Sequence, residues 1–586
     1  MVPEFFCSAD FREAGNRLRV GGTTISEIFC GLKLTHDGSL AAIEDDRLLF
    51  SIEAEKLENR ARYSALNTWR DLIAVLDGQG LRPEELTSIA VDGWGRTAGA
   101  DTHQVHVIDD VGVRRPVPVA SYRDSPGTGI DPLSRPFETA ELFGDGLVKF
   151  RSFSHATGHA LAGYCSSPFA QRGESALIVV WDGGMAPCLY HYDPVRRSLR
   201  PLRWLSDVLG GLYPIFATHL EPFRTGDGAL DTDARKLETV ILPVSGKAMA
   251  YAALGSPDDD VLAAMAAASS RHRPNDVVPM YLWSRSVLRD LAPKKLSDAT
   301  LMASMQEYLG GLLVEALRRF VIEHEEFRGA PLALSGGCAL NIKWNARVRD
   351  SGLFSEVWVP PFPNDAGSAI GAACAEMIDR TGNSALHWSA FAGPEVVPGT
   401  EVPEGWTSTP CTLDELAELL AIEGEPVIVL TGRAEIGPRA LGHRSIIAPA
   451  IDAGMLDRLN ELKQRASYRP VAPICLEDAA PDVFSPGTRD PYMLFEHQVR
   501  PEWRARVPAV VHVDGSARLQ TVGAENPVTY ELLTAYRRRT GVPVLCNTSA
   551  NFNGSGFFPD VASAARWGKV RYIWSEGALY RSEADR

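Results

Sequence analysis

Two histidines four residues apart, His155 and His159, sit in an Ala- and Gly-rich stretch, Ser154-His-Ala-Thr-Gly-His-Ala-Leu-Ala-Gly-Tyr164. Ala and Leu favour a helix, and on a helix residues i and i+4 share a face. Two imidazoles placed so can grip one divalent ion. The spacing alone serves equally well for a helix cap or a lined core. Two carboxylates strengthen the metal reading. Asp182 follows the apolar run Ala176-Leu-Ile-Val-Val-Trp181, and Asp365 sits in Pro363-Asn-Asp-Ala-Gly367 before a small-residue segment. Two histidines with carboxylates at strand ends make a borderline-to-hard ion site with positions open to phosphate oxygens.

A second set of residues suits anions. Cations beside Gly and Pro turns recur after residue 430: Arg433, Arg439 and Arg444, then Lys463, Arg465 and Arg469, then Arg518. A guanidinium fork matches phosphate oxygens two at a time. Asn547, Thr548 and Ser549 are neutral donors suited to a small planar amide. A solvated basic surface is the plainer alternative. In the first part of the chain, Leu332-Ala-Leu-Ser335-Gly336-Gly337-Cys338-Ala-Leu-Asn341 reads as strand, glycine turn and helix start. That arrangement turns backbone N–H groups towards an anion or nucleotide. Lys247, after Gly246, could meet a phosphate or simply be solvated.

The elements that position these groups follow from periodicity. Ile28–Thr35, Leu40–Ile43 and Leu48–Ile52 form a meander whose first turn is His36-Asp37-Gly38-Ser39. Residues 65–80 read as an amphipathic helix and Ser88–Asp92 as a strand. Residues 97–150 read as an insertion without a clear pattern. Residues 202–254 are irregular, and 301–327 form a long helix. Pro and Gly between 392 and 410 mark a linker. A helix near Leu413–Ile422 and a strand from Pro426 to Leu430 open a second domain. The expected domains are thus 1–391 and 411–586.

Composition narrows the class. The chain has 586 residues, 45% hydrophobic and 23% charged, with a net charge of −15. That balance argues against nucleic acid and anionic membranes as partners. No run reaches the ~18 apolar residues of a membrane helix, and no leader is evident at the start. The nine cysteines include no CxxC pair, which fits a reduced, cytoplasmic setting. No coiled-coil heptad reveals an oligomer.

Four motifs together carry a resemblance: Glu-Ile-Gly-Pro-Arg-Ala-Leu-Gly-His-Arg-Ser (435–445), Tyr-Arg-Pro-Val-Ala-Pro (468–473), Val-Asp-Gly-Ser-Ala-Arg (513–518) and Pro-Val-Leu-Cys-Asn-Thr-Ser (543–549). From about Ile28 to Tyr580 the sequence resembles the ATP-dependent O-carbamoyltransferases of antibiotic and Nod-factor biosynthesis. The resemblance implies an α/β protein: a duplicated actin/Hsp70-like domain followed by a YrdC-like domain. It implies that carbamoyl phosphate and ATP give carbamoyl adenylate, whose carbamoyl group passes to a small-molecule hydroxyl. Lys463, Arg518, Asn547 and Ser549 would hold carbamoyl phosphate, with Arg439, Arg444 and Arg469 on anion or nucleotide. Ser335, Gly336, Gly337, Cys338 and Asn341 would hold the nucleotide, with Lys247 near. His155, His159, Asp182 and Asp365 would hold the metal, iron ranked ahead of zinc, manganese and magnesium. His36 with Asp37 would deprotonate the acceptor, a step that suits an imidazole.

Departures from the family pattern are Ser245 before Gly246-Lys247, Ala550 after Ser549, and Glu58-Asn-Arg60-Ala-Arg62-Tyr63 without a histidine. Alternatives are a tRNA-modifying or hydrogenase-maturation relative, and a non-catalytic nucleotide-binding regulator. The absence of paired-cysteine zinc motifs and of a basic footprint weighs against the first two.

Overall fold

The computed structural model describes residues 26–95, 103–134, 136–139, 150–225, 240–399 and 401–584, with two short pairs near the start at 19–20 and 23–24. It is a mixed α/β protein built on three principal sheets.

The first sheet begins with the expected meander. Ile28–Lys33 pairs antiparallel with Ser39–Glu44, which pairs antiparallel with Arg47–Glu53. On the other side of Ile28–Lys33 the strands run parallel: Ser88–Asp92, then Phe150–Phe153. The second sheet repeats this order. Ala176–Val180 pairs antiparallel with Cys188–Asp193 and that strand with Ser198–Trp204, while Leu332–Ser335 and Val357–Trp358 add in parallel. Two sheets with one strand order show the first part of the chain to be a structural duplication.

Two helices lie between these sheets, His155–Cys165 and Ser368–Thr381. Every residue of the first is buried, because Ala and Gly let backbones approach closely. Gly371 is one position where nothing larger fits: a Cβ there would stand 1.7 Å from the Gly158 carbonyl oxygen. Ser154 caps the first helix by accepting from the Thr157 N–H. The second ends at Gly382, whose φ of 74° lets its N–H return to the Ile378 carbonyl.

The third sheet has eight strands, with Val427–Leu430, Arg444–Pro449 and Val544–Ser549 side by side at its centre. Its core is separate from those of the duplicated part. The 392–410 stretch does more than link. Trp406–Pro410 is an edge strand of this sheet, paired with Ala578–Ser582, a place where proline costs no ladder bond. Ala392 also accepts a hydrogen bond from the Ser51 N–H.

In the 97–150 stretch the described residues form a hairpin, His103–Ile108 with Arg114–Val119. They also supply an edge strand, Phe137–Thr139. Residues 96–102, 135 and 140–149 lie outside the described set. Residues 226–239 of the irregular 202–254 stretch do as well. The remainder of that stretch includes the helices Leu212–Ala217 and Ser245–Ala252, the latter carrying Lys247. The long helix runs Asp298–Glu323, straight through Gly310-Gly311. No described helix is long and apolar enough to cross a membrane.

Candidate functional site

The His155 helix starts where its sheet ends, so His155 points towards the C-terminal ends of the parallel strands. His155 Nε2 and His159 Nε2 are 3.1 Å apart. Asp365 Oδ1 stands 3.5 Å from the first and 3.6 Å from the second. Asp182 completes a buried group whose four candidate ligand atoms all lie within 4.8 Å of one another. Ligands ~2.0–2.2 Å from one ion at tetrahedral or octahedral angles are themselves about 3.0–3.5 Å apart, so the two histidines and Asp365 fit one divalent ion. Two histidines and a carboxylate with open positions suit iron among others.

The surroundings support that fit. His155 Nδ1 lies 2.7 Å from Asp92 Oδ2, at the end of its strand. This is the outer carboxylate that orients a ligating imidazole. Lys33 Nζ sits 3.1 Å from Asp365 Oδ2 and 3.3 Å from Asp92 Oδ2, and 3.6 Å above the Trp94 ring. Burial works to raise the Asp365 carboxyl, but Lys33, His155 and His36 outweigh it and hold it well below its usual range. Asp182 accepts from the Tyr122 hydroxyl on one oxygen and from the Gly337 N–H, 2.8 Å away, on the other.

His36 and Asp37 join this group. His36 Nδ1 is 3.2 Å from Asp37 Oδ2, and its Nε2 is 3.7 Å from Asp365 Oδ2. Burial pulls the His36 pKa down, while Asp365 and Asp37 pull harder and leave it raised. An imidazole held between two carboxylates beside the ion position is placed to move a proton there.

The glycine turn departs from the expected anion cradle. The N–H groups of Gly337, Cys338, Ala339 and Asn341 are donated to Asp182, Trp181, Gly336 and Cys338. Asn341 caps the helix Ile342–Asp350, and its amide pairs with that of Gln306 at 2.9 and 3.1 Å. Ser335 keeps a buried hydroxyl oxygen with no partner. Gly336 has a φ of 86°, and a Cβ on it would come 2.4 Å from the Trp181 carbonyl oxygen.

The second group is the cations. Arg439, Arg465 and Arg518 are half-buried, and each keeps at least one buried guanidinium nitrogen with no hydrogen-bond partner. They repel one another. Burial first, and then Arg469, lower Arg518 to about 10, with Asp490 acting the other way. Burial, then Arg469 and Arg518, lower Arg465 to about 9. Burial and the charges of Arg518, Arg62 and Arg469 hold Arg439 well below its ordinary value. Burial first, and then Arg469 and Arg62, lower Lys247 from its ordinary value.

Three expected anion contacts have other partners. The Arg444 guanidinium donates to the carbonyls of Thr431, His443, Pro394 and Gly432. This corrects its expected role: Arg444 fastens the loop before the edge strand. Lys463 Nζ gives its three protons to Ser549 O, Asn551 O and Asn551 Oδ1, at 2.6–2.9 Å. It shapes the loop that carries Ser549, whose hydroxyl also donates to Asn551. Asn547 donates to Ala440 O, leaving its own carbonyl oxygen without a partner.

Lys33 and Asp92, which touch the His155–Asp365 group, and Gln306, which pairs with Asn341, were passed over in the sequence reading. A lysine at the end of an apolar strand and an aspartate ending another were the available signals. The chain matches the carbamoyltransferase N-terminus over residues 28–115 and 145–374, and the carbamoyltransferase C-terminus over 417–571. It belongs to the carbamoyltransferase family and is a carbamoyltransferase. Nodulation protein U of Rhizobium tropici is 42% identical, covering 94% of this chain and 96% of its own. The 3'-hydroxymethylcephem-O-carbamoyltransferase of Amycolatopsis lactamdurans is 36% identical over 90% of this chain and 94% of its own. A solved structure, the activator of 2-hydroxyisocaproyl-CoA dehydratase from Clostridium difficile, overlays 61% of this chain and 95% of its own at 12% identity. Its TM-score is 0.32.

Proposed function

We propose that this chain activates carbamoyl phosphate with ATP at the cation cluster and transfers the carbamoyl group at the His-Asp centre to a hydroxyl of a small secondary metabolite. The observation that carries the reading is the cluster itself: guanidinium nitrogens buried without partners, in a chain of this family. The duplicated part then corresponds to the actin/Hsp70-like fold and the eight-stranded part to the YrdC-like one, divided near 392–410.

The balance of the first half-reaction is fixed by its chemistry. Carbamoyl phosphate and water give carbamate and phosphate; a carbamate oxygen then attacks the α-phosphorus of ATP, and pyrophosphate leaves. Arg439, Arg469 and Arg518 bind the phosphates, and Arg465 adds a fourth fork. Asn547 offers its free carbonyl oxygen to the carbamoyl NH₂, and Ser549 its hydroxyl. Lys463 holds the loop that presents them.

In the second half-reaction the acceptor oxygen attacks the carbamoyl carbon, AMP leaves, and His36, held by Asp37, takes the hydroxyl proton. His155, His159, Asp365 and Asp182 would hold a divalent ion, iron first among the choices, which would supply neutralising charge for the leaving phosphate. Ser335 and the Gly336–Cys338 turn line the nucleotide, with Asn341 holding the turn in place. Enclosure keeps the adenylate from water. The cephem relative acts, by its name, on a hydroxymethyl group, and an acceptor hydroxyl of that kind fits this chain.

The test is pyrophosphate release from ATP, carbamoyl phosphate and a divalent metal without acceptor. Release that depends on carbamoyl phosphate supports the reading. ATP turnover indifferent to carbamoyl phosphate refutes it.

A further inference from the structure

The cation cluster is drawn from both parts of the chain, and one member reaches it by an unusual route. The loop Glu58–Ser64 leaves the end of the first meander and crosses to the eight-stranded part. There it forms a clip. Ala61 bridges Ser555 antiparallel, the Arg62 N–H donates to Gly554 O at 2.9 Å, and the Gly556 N–H donates to Arg60 O at 3.0 Å. Three of its residues, Glu58, Asn59 and Tyr63, have positive φ of 54°, 58° and 64°, an uncommon backbone for such side chains. The loop is held at both ends. Arg60 makes a two-pronged pair with Asp71 at 2.9 and 3.0 Å, and the Tyr63 hydroxyl donates to Leu242 O at 3.3 Å.

The clip engages the same segment that carries the carbamoyl-type residues. Asn551, which takes two hydrogen bonds from Lys463, donates to Ser555 O at 2.7 Å. Arg62 therefore stands beside the cluster, and its charge acts on Arg439, Arg469, Lys463 and Lys247. Its own guanidinium lies 3.7 Å from Glu55, with its side chain 40% exposed, and 5.2 Å over the Tyr63 ring; burial works to lower its pKa, but Glu55, Tyr63, Asp37 and Glu53 outweigh that and leave it raised. The clip thus sets a cation at a border, with Glu55 on one side and cations that it repels on the other. A polyanion turns that repulsion into attraction.

We propose that Arg62 is a substrate-phosphate ligand of the cation cluster, contributed across the boundary between the two parts of the chain. The proposal rests on the reading of that cluster as the activation site. The eight-stranded part alone then lacks one phosphate contact, and the clip keeps that contact in register.

The experiment uses the full chain and two readouts. Binding of inorganic pyrophosphate and of carbamoyl phosphate is measured by calorimetry, and pyrophosphate release by kinetics, for wild type, Arg62→Ala, Arg62→Lys and Gly556→Ala. Loss of one charge-assisted contact reads as about tenfold or more in affinity. Arg62→Ala is expected to weaken pyrophosphate binding by about tenfold. It should raise KM for ATP by a similar factor and change kcat less. Arg62→Lys recovers part of the loss, and added guanidinium partly restores Arg62→Ala. A Cβ at Gly556 would meet Glu55 O at 1.7 Å, so Gly556→Ala opens the clip and copies the Arg62→Ala phenotype with Arg62 still present. Wild-type pyrophosphate affinity and KM in Arg62→Ala overturn the proposal. Arg62-dependent pyrophosphate binding without carbamoyl-phosphate-dependent turnover leaves Arg62 an anion ligand and refutes the activation reading instead.

Discussion

The two centres solve opposite electrostatic problems. Around His155 the charges answer one another: Lys33 lies between Asp92 and Asp365, His155 rests on Asp92, and Asp182 is bonded to Tyr122 and Gly337. In the cation cluster, Arg439, Arg465, Arg469 and Arg518 act against one another, with Asp490 an opposing charge near Arg439 and Arg518, and Arg62, itself answered by Glu55, adds to the repulsion on Arg439 and Arg469. A centre whose carboxylates outnumber its one lysine is completed by a cation. A like-charged one is paid for in stability and is completed by what binds it. The first is built for chemistry on a group delivered to it, the second for capture.

The comparison breaks most sharply if the centres are not separable. Arg518→Ala should lower carbamoyl-phosphate-dependent pyrophosphate release by about 10²–10³-fold, the scale of losing one charge-stabilising donor. His155→Ala should leave that release largely intact while abolishing carbamoylation of an acceptor. Equal loss of pyrophosphate release in both variants would show a single centre.

A smaller effect tests what holds the centres together. Lys56 is buried and donates to Glu53 Oε1 at 2.6 Å and to the carbonyls of Glu435 and Gly437 at 2.5 and 2.7 Å; the Gly437 N–H returns to Glu53. Arg439 lies two residues beyond and reaches back to Leu340 O at 3.5 Å. Lys56→Met leaves Glu53 buried and unpaired, a loss of about 3–5 kcal/mol. Thermal unfolding should shift down, and pyrophosphate release should fall with it. An unchanged melting temperature would mean that the two parts do not depend on this lock.

The repulsion in the cluster gives a further test. Because pyrophosphate relieves it, the ligand should stabilise the wild type by about 2.7 kcal/mol at a hundredfold its Kd. Arg518→Ala should lose most of that gain while starting from a higher unliganded stability. A variant no more stable than wild type without ligand would remove the like-charge argument.

These contrasts also explain what could be read in advance. That His155, His159 and Asp182 would lie together was legible because a helix fixes i and i+4 and an apolar strand runs into Asp182, whereas Asp365 joins them from a short helical turn rather than a strand end. The opening meander showed in alternating apolar runs, its second copy over Cys188–Asp193 and Ser198–Trp204 went unread, and Ser88–Asp92 and Leu413–Ile422 fell where periodicity put them. Arg444 misled because a cation beside glycine looks the same whether it faces a ligand or four carbonyls. Asn341 misled in the same way, since a helix cap and a ligand donor are the same residue type. The strand Trp406–Pro410 was hidden because its pairing partner lies more than 160 residues away, at Ala578–Ser582. Lys33, Asp92 and Arg62 are joined to their sites by contacts that no local spacing encodes.

The gentlest test concerns a surface seam between the same two parts. Lys343, on the helix after the glycine turn, pairs with Glu496 and, at 2.9 Å, with Asp514. Burial works to raise the Asp514 carboxyl, but His512, Lys343 and Ser516 outweigh it and hold it far below its usual value. A carboxylate depressed in the folded state adds stability that is present above its unfolded pKa of about 3.9 and lost as pH falls towards the folded value. Asp514→Asn should therefore unfold at lower temperature than wild type at pH 6, with the gap narrowing below about pH 4. A gap that stays constant down to acid unfolding would show that the seam's charge does not hold the two parts together, leaving that task to the buried lock at Lys56.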